Sequence, residues 1–347
     1  LQALQDQHPA LGPTVRLVER WIAAQMLSTQ VPIEAIELLA VAVYTSSAAA
    51  PPATGVAGLV RVLTLLRDWD HRETPLVVPV EAASRRVHEY RAIKADDDRK
   101  ASGTTPADLR ATTATAAPIT VTAAQRVAAE QAFRAARARD PALHHTAWCI
   151  ATDLDEGGSI WTHDAPTAAI ADALRQLAAR AVAHLVTGPV VHREAAMVLF
   201  TPSLQMYDFV VHIDPAVHTR YAEALRPDAH AWLTKDARAF KNLRTVRASV
   251  YGNEVRPGWD PVGEFVALLR TLYPNVFRLF YDHHGGTVIG GVWDKALTRP
   301  HAFKVLLGYS SRPASGNDVV LNTDAILAEI QRLGYGLVKK IEVASST

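Results

Sequence analysis

Apolar residues recur at three- and four-residue steps along the first seventy residues of the chain. From Thr14 to Leu27 this spacing predicts an amphipathic helix. Residues Ile33 to Tyr44 are nearly all apolar and predict a helix that is buried on most sides. After a pair of prolines, Gly55 to Asp70 predict a third helix, and Leu76 to Val78 a short strand. The short connections favour a small helical unit.

Strand and helix patterns alternate from about His144 onward. The predicted helices begin at Pro166, at Asp260-Pro261 and near Asn322-Thr323, and the last of them ends at Gly334 or Gly336. The predicted strands are Thr146 to Thr152, Met197 to Phe200, Tyr207 to Ile213, Val276 to Tyr281, Thr287 to Trp293 and Phe303 to Leu307. This alternation predicts an α/β sandwich with an undetermined sheet order.

A polar, Ser/Thr/Ala/Pro-rich run separates the two patterns. It cannot bury enough apolar surface to offset its ordering entropy, so it predicts a flexible linker or loop at residues 95–122. We therefore expect an α+β, multidomain chain. Its parts would be a helical domain at 1–94, the linker, and an α/β C-terminal domain at 123–347.

Composition narrows the class of protein further. The chain has 347 residues, a formal net charge of +1 and one cysteine, so a disulfide framework and Cys-rich zinc sites are excluded and a reducing compartment fits. No apolar run reaches about 18 residues, the length of a membrane span. Because the chain opens at Leu1 inside a helical pattern, without an initiator Met, we expect further sequence upstream.

Asp153 and Asp155 are the residues most suggestive of catalysis. Two carboxylates at i and i+2 after a strand can hold the divalent metals of a nucleotidyltransferase. Such a site also needs a Gly-Ser helix start upstream, which the sequence before Asp153 lacks in a strand-to-helix setting. Glu156-Gly157-Gly158 follows them, so we favour a turn in which the Asp side chains bind nearby backbone N–H groups.

Histidine pairs and the cysteine offer weaker candidates. His144-His145 and His283-His284 invite a metal, but neighbouring residues on a strand point to opposite faces, which argues against either pair as two ligands. Cys149 lies in an apolar strand pattern and is expected in the core rather than as a nucleophile. We expect no metal, no cofactor and no complete catalytic centre in this chain.

The charge feature of interest is a basic stretch within residues 226–256. A stripe at helical spacing is formed by Lys235, Arg238 and Lys241, continued by Arg244 and Arg247. Phosphates of RNA can lie along such a stripe. A solvated face, or a seam against the carboxylates of a partner, explains the same residues and stays open as an alternative.

Short blocks of sequence along the chain resemble one known family. They are His8-Pro-Ala-Leu-Gly-Pro13, Arg20-Trp21, Glu37-Leu38-Leu39, Gly58-Leu-Val-Arg61, Trp69-Asp70, Pro75-Leu-Val-Val78, Ile150-Ala-Thr-Asp153, Leu199-Phe-Thr-Pro-Ser-Leu204, Tyr207-Asp208, Phe280-Tyr-Asp282 and Ile330-Gln-Arg-Leu-Gly334. In order and spacing these blocks resemble the last two domains of the nucleolar RNA-associated protein (Nrap) family, also called nucleolar protein six. Leu59, Val62 and His71 depart from the aromatic residues expected at their positions.

The resemblance implies a fold and a function. It implies a poly(A)-polymerase/oligoadenylate-synthetase-like helical domain and a following tail domain, from a family regarded as having lost transferase chemistry. It also implies a nucleolar scaffold of the small-subunit processome in pre-rRNA processing and 40S ribosome biogenesis. The implied partners are pre-rRNA or the U3 small nucleolar ribonucleoprotein, a ribosomal RNA-processing protein and the casein kinase two complex, with no membrane.

Two other functions remain open from the sequence. The chain can be the accessory half of an active nucleotidyltransferase whose catalytic carboxylates lie upstream of Leu1, or a module that docks only to proteins. Upstream sequence with a Gly-Ser and Asp-x-Asp set distinguishes the first alternative, and salt-dependent RNA binding distinguishes the second.

Overall fold

The structure is a computed structural model. It describes residues 2–46, 49–80, 121–145, 147–163, 165–187, 197–215, 261–302 and 310–344. The chain forms two compact units, Leu1–Trp21 with Gln30–Leu199 and Ile22–Thr29 with Phe200–Thr347. Within the described ranges, no helix combines the length and the apolar character that a membrane crossing requires.

Helices dominate the first unit, as the periodicity predicts. The helices are α1 (Gln2–Gln7), α2 (Leu11–Ala24, which continues into the second unit), α3 (Ile33–Thr45), α4 (Gly55–Asp68), α5 (Ala123–Arg139) and α6 (Ala168–Thr187). Side-chain caps define two of the starts. Thr54 accepts a hydrogen bond from the Ala57 N–H ahead of α4, and Thr122 forms a reciprocal capping box with Gln125 ahead of α5.

A buried threonine marks the junction of α2, α3 and α4. The Thr14 side chain is fully buried, and its Oγ1 lies 2.9 Å from the Tyr44 hydroxyl oxygen. Gly58 of α4 faces the same hydroxyl, and a Cβ at Gly58 would come within 1.9 Å of Thr14 Oγ1. The glycine therefore allows the close approach of the helices around a satisfied polar group.

A two-stranded parallel sheet joins residues that lie on both sides of the expected domain division. Strand β1 (Leu76–Val78) pairs with β2 (Ile150–Thr152), and α4 packs on α6. These contacts lie within the first compact unit, which extends to Leu199. The expected domain bounds at residues 94 and 123 stay a prediction. Of the expected linker, only Val121 and Thr122 fall within the described residues.

The second unit is built on a four-stranded antiparallel sheet. Its strands are β3 (Phe209–Ile213), β4 (Phe277–Tyr281), β5 (Val288–Trp293) and β9 (Val338–Val343), in the order β4-β5-β3-β9. Helices α7 (Pro261–Leu272) and α8 (Thr323–Leu333) occupy the places that complete a β-α-β-β-α-β order. This order with antiparallel neighbours is the ferredoxin-like arrangement.

One face of this sheet forms the core of the second unit with the two helices. Alternate residues of β3 point into it, namely Phe209, Val211 and Ile213. From α7 come Val262, Phe265, Val266 and Leu269, and from α8 Ile326, Leu327 and Ile330. Ring contacts among Phe209, Phe277 and Trp293 consolidate the centre of this core.

An inserted three-stranded sheet lies between β5 and α8 in sequence. Its strands are β6 (His301–Ala302), β7 (Ser311–Pro313) and β8 (Asp318–Leu321), in the order β6-β8-β7. The apolar and polar pattern of the sequence did not predict β7, β8 or β9. The strand expected at Phe303 to Leu307 lies outside the described residues.

Several helices and strands predicted from the sequence are confirmed, and one predicted strand is wrong. The hairpin of β4 and β5, the strand at Phe209–Ile213, and α8 with Asn322 as its N-cap are confirmed. The strand expected at Met197 to Phe200 is wrong, because residues 197–199 are helical and expose Met197 and Val198 to solvent. The predicted mixed fold, a helical poly(A)-polymerase-like part followed by an α/β part, is confirmed as a fold class.

Candidate functional site

The turn after β2 holds the carboxylate with the strongest sequence claim to chemistry. Asp155 is 7% exposed, and its side chain accepts hydrogen bonds from the N–H groups of Gly158 at 3.0 Å and Ile160 at 2.8 Å. Thr152 Oγ1 accepts the N–H of Asp155 at 3.0 Å on the other side of the turn. Asp155 is therefore a turn-forming residue, and the turn interpretation of the motif is confirmed.

Asp153 bonds to a different part of the backbone. Its Oδ1 accepts the N–H of Val80 at 2.7 Å, just beyond the end of β1. The cavity beside it, lined by Val77, Gln125 and Glu156 among others, has a volume of about 10 Å³, no more than a water molecule needs. The two carboxylates thus bind separate backbone groups, next to a space too small for a nucleotide.

Cys149 packs underneath the same turn. The thiol is 2% exposed and its Sγ donates to the Gly157 carbonyl oxygen at 3.4 Å. Burial raises the pKa of the Cys149 thiol to about 11, so the nucleophilic thiolate is disfavoured. Gly158 has a φ of 61°, and a Cβ there would lie 2.6 Å from the sulfur. The prediction that Cys149 is a core residue is confirmed.

A second polar cluster in the first unit lies between the end of α4 and α6. Arg72 donates from Nε to Asp172 Oδ1 at 3.3 Å and from its terminal nitrogen to Oδ2. The Arg72 hydrogen bonds hold the pKa of the Asp172 carboxyl below its usual range. His71 is 1% exposed, with Nε2 3.6 Å from Asp172 Oδ1, and burial lowers its pKa so that the neutral ring is favoured.

Arg137 of α5 joins this cluster through the main chain of His71. Its guanidinium donates to the carbonyl oxygens of His71 and Ala147, each at 2.9 Å, and lies 4.6 Å over the Phe133 ring. Burial lowers the pKa of Arg137. Since its charge is used to bind main-chain carbonyls inside the unit, this arginine joins structural elements rather than presenting a cation to a ligand.

The histidine pairs lie in turns, not in strands. The His283 and His284 ring centroids are 3.9 Å apart on the β4–β5 turn, where the Ser28 hydroxyl accepts the His283 N–H at 3.3 Å. His145 instead stacks on His163 at 6.1 Å. The alternation of strand side chains, on which the sequence argument against a metal rested, therefore does not apply to these residues.

The sheet face opposite the helices in the second unit is filled by a tyrosine. Tyr207 lies against Gly290, where a Cβ would meet its ring at 2.5 Å, and its ring centroid is 5.6 Å from that of Phe280. The side chain is 6% exposed, and burial raises the pKa of Tyr207 to about 12. The sequence identified this residue as part of a strand pattern and of a block that resembles the family, and gave no indication of its place on the sheet face.

This arrangement bears on how the sheet can meet RNA. RNA-recognition modules of this topology stack bases on aromatic residues of the two central strands. The central strands here are β3 and β5, and their positions on the same face as Gly290 are Val210, His212, Val288 and Val292. Of these four positions only His212 carries a ring, and Tyr207 lies over Gly290, so the two central strands lack the aromatic pair on which such modules stack bases.

The predicted RNA-binding stripe cannot be placed beside these sites. Lys235, Arg238, Lys241, Arg244 and Arg247 all lie in the range 216–260, outside the described residues. They stay a prediction from the sequence.

Comparison with known proteins identifies both halves of the chain. The family domain described as Nrap protein PAP/OAS1-like domain 5 matches residues 8–202, and Nrap protein domain 6 matches residues 204–341. The boundary between the two matches is close to Leu199 and Phe200, where the compact units also meet in sequence.

Curated relatives match the chain over nearly its full length. Nucleolar protein 6 of Mus musculus is 28% identical over 359 residues, which is 99% of this chain and 26% of the relative. U3 small nucleolar RNA-associated protein 22 of Schizosaccharomyces pombe is 24% identical over 344 residues, 99% of this chain and 26% of that protein. Its namesake in Saccharomyces cerevisiae is 25% identical, again over 99% of this chain and 27% of that protein.

The chain thus spans about a quarter of the length of these relatives. By their names these relatives are nucleolar, and two of them are associated with the U3 small nucleolar RNA. Since the two domain matches together cover most of the chain, it belongs to the Nrap protein family and comprises the fifth and sixth domains of that family.

Proposed function

We propose that this chain is a non-catalytic scaffold part of the small-subunit processome, acting in early pre-rRNA processing and 40S ribosome biogenesis. It binds pre-rRNA or the U3 small nucleolar ribonucleoprotein, and protein partners that include a ribosomal RNA-processing protein and the casein kinase two complex. The name of the yeast relatives, U3 small nucleolar RNA-associated protein 22, supports the RNA partner. Family membership supports the rest.

The observation that carries the non-catalytic part of the proposal is the use of Asp153 and Asp155. A two-metal transferase needs carboxylate oxygens that converge on the ions. Here Asp153 accepts one backbone N–H group and Asp155 accepts two, and the adjoining cavity has room for no more than one water molecule. The polymerase-like fold therefore serves as a support, with its polar residues used for folding.

The domain description favours one competing function. A PAP/OAS1-like domain is also expected in the accessory half of a working nucleotidyltransferase. Incubation of the full-length protein with labelled ATP or CTP and an RNA primer tests this. Scaffold function predicts no extension of the primer, and template-independent addition at the RNA 3′ end would replace our proposal with the enzymatic one.

RNA binding is tested on the basic stripe. In residues 1–347 we expect Lys235→Glu, Arg238→Glu and Lys241→Glu together to weaken binding of a labelled single-stranded RNA and to flatten its salt dependence. Each phosphate contact removed lowers the slope of log affinity against log salt by about 0.7 for single strands. The control reverses three exposed cations elsewhere, Lys295, Arg299 and Arg312. Equal effects of the two triple variants would count against the stripe.

A further inference from the structure

Tyr335 stands apart from the other aromatic residues of the second unit. It is 94% exposed, at the turn that follows α8, whereas Tyr207, Phe209, Phe277 and Trp293 are each buried. No ring contact or side-chain hydrogen bond links Tyr335 to another residue in the part of the chain that the structure describes. A ring this exposed contributes nothing to the core. The Tyr335 side chain is therefore a candidate for contact with a ligand.

The backbone beneath this ring is held in one conformation. The Gly334 N–H donates to the Ile330 carbonyl oxygen at 2.9 Å, and the Tyr335 N–H donates to that of Arg332 at 3.2 Å. The Val338 N–H donates back to the Gly334 carbonyl oxygen at 2.7 Å, which closes the turn. Gly336 has a φ of 83°, a backbone conformation that residues other than glycine rarely adopt. The turn therefore presents Tyr335 without having to order a loop on binding.

Three cations lie within five residues of Tyr335 in sequence. Arg332, Lys339 and Lys340 are exposed. Arg332 is paired with Glu329 at 2.8 Å, and Lys340 with Glu342. Lys339 has no carboxylate partner among the described residues, so its charge is available to an anion. Lys339 follows Tyr335 by four residues, directly after the Val338 N–H that closes the turn. An exposed aromatic ring and an uncompensated lysine on one short segment are the combination that binds the base and the phosphate of a single strand.

The same segment is poorly suited to a protein strand. As the last strand in the sheet order, β9 has an edge without a partner strand among the described residues. The register shifts between His212 and Ile213, which leaves Lys339 as an extra residue in β9. A bulge and two lysines on an edge strand hinder pairing with another chain. Charge and edge geometry thus favour nucleic acid over an added peptide strand.

We propose that the segment 334–340, the turn after α8 and the start of β9, is a contact site for single-stranded RNA, in which a base stacks on Tyr335 and a neighbouring phosphate binds Lys339. This site rests on the proposed RNA-binding function and assigns an RNA contact to Tyr335 and Lys339. Stacking on one ring and one ion pair tolerate many base sequences. The site therefore adds affinity for an unpaired strand without selecting its sequence.

The test measures binding of residues 1–347 to a fluorescein-labelled oligo(A) RNA of about 12 nucleotides, and to an abasic strand of equal length. We expect Tyr335→Ala to weaken oligo(A) binding roughly tenfold while leaving the abasic strand unchanged, and Tyr335→Phe to retain affinity. Lys339→Ala should weaken both strands and lower the salt slope by about 0.7. Leu272→Ala and Lys295→Ala serve as matched exposed controls in the same unit.

The outcomes separate this site from the general proposal. If Tyr335→Ala binds oligo(A) like the wild type while the triple reversal at Lys235, Arg238 and Lys241 abolishes binding, the turn is not an RNA site although the chain binds RNA. If the wild type lacks salt-dependent affinity for RNA, the proposed function itself fails. Equal losses on oligo(A) and the abasic strand for Tyr335→Ala would also overturn stacking.

Discussion

The two compact units use their polar and aromatic side chains differently. In the first unit, the charged side chains that look capable of chemistry are bound by the fold itself. Asp155 holds a turn, Asp172 pairs with Arg72, and Arg137 binds main-chain carbonyls. In the second unit, Tyr207 closes the sheet face while Tyr335 is left entirely to solvent. Binding capacity is therefore better sought where side chains remain unused than where motifs look catalytic.

The largest expected effect distinguishes the two tyrosines of the second unit. Tyr207→Ala removes a buried ring from above Gly290 and leaves a cavity, so we expect a loss of about 4 kcal/mol in unfolding free energy. Tyr335→Ala, as the matched control, should change that free energy by less than about 0.5 kcal/mol. Urea unfolding followed by tryptophan fluorescence measures both. Similar losses of unfolding free energy for the two variants would contradict the distinction between a buried Tyr207 ring and an exposed Tyr335 ring.

The next effect concerns the turn of the first unit. Asp155→Ala leaves the N–H groups of Gly158 and Ile160 without their acceptor, and we expect a loss of about 3 kcal/mol. Glu156→Ala, at the exposed neighbouring position, should be nearly neutral. Thermal and urea unfolding report the difference. A stable Asp155→Ala variant that had lost Mg²⁺ or Mn²⁺ binding would instead revive the metal interpretation.

The smallest effect is a change in pH dependence. Burial lowers the pKa of His71 from 6.5, so the folded state binds a proton less readily than the unfolded state. Stability is then full above pH 6.5 and declines as the pH falls below it. Asp172 and Asp70 act against this shift, whereas Arg72 and Arg137 reinforce it. We expect His71→Phe to flatten the fall in unfolding free energy between roughly pH 7 and pH 5.

Some slope will remain in that variant, because burial lowers the pKa of His8 in the same direction. The measurement is urea unfolding at several pH values, with wild type and His71→Phe compared at each. Identical slopes for the two proteins would mean that the His71 ring titrates alike in the folded and unfolded states.

Local patterns in the sequence predicted the regular elements well. Apolar periodicity gave α2, α3, α4 and α8, and β-branched and aromatic runs gave β3 and the hairpin of β4 and β5. The prediction of a strand failed at residues 197–199, because a short apolar run fits a strand or a helix equally. It also missed β9, whose Lys-Lys and Glu residues interrupt the alternation that a half-buried strand usually shows.

The sequence by itself determined the kinds of elements and the turn character of Asp155, because these depend on neighbouring residues and on hydrogen bonds within a few positions. Its ordered blocks also indicated the family. Only the tertiary structure decided the strand order β4-β5-β3-β9, the pairing of β1 with β2, and the contrast between Tyr207 and Tyr335. Those depend on contacts between residues far apart in the chain. Burial of a ring, unlike its identity, is settled by what the rest of the fold brings against it.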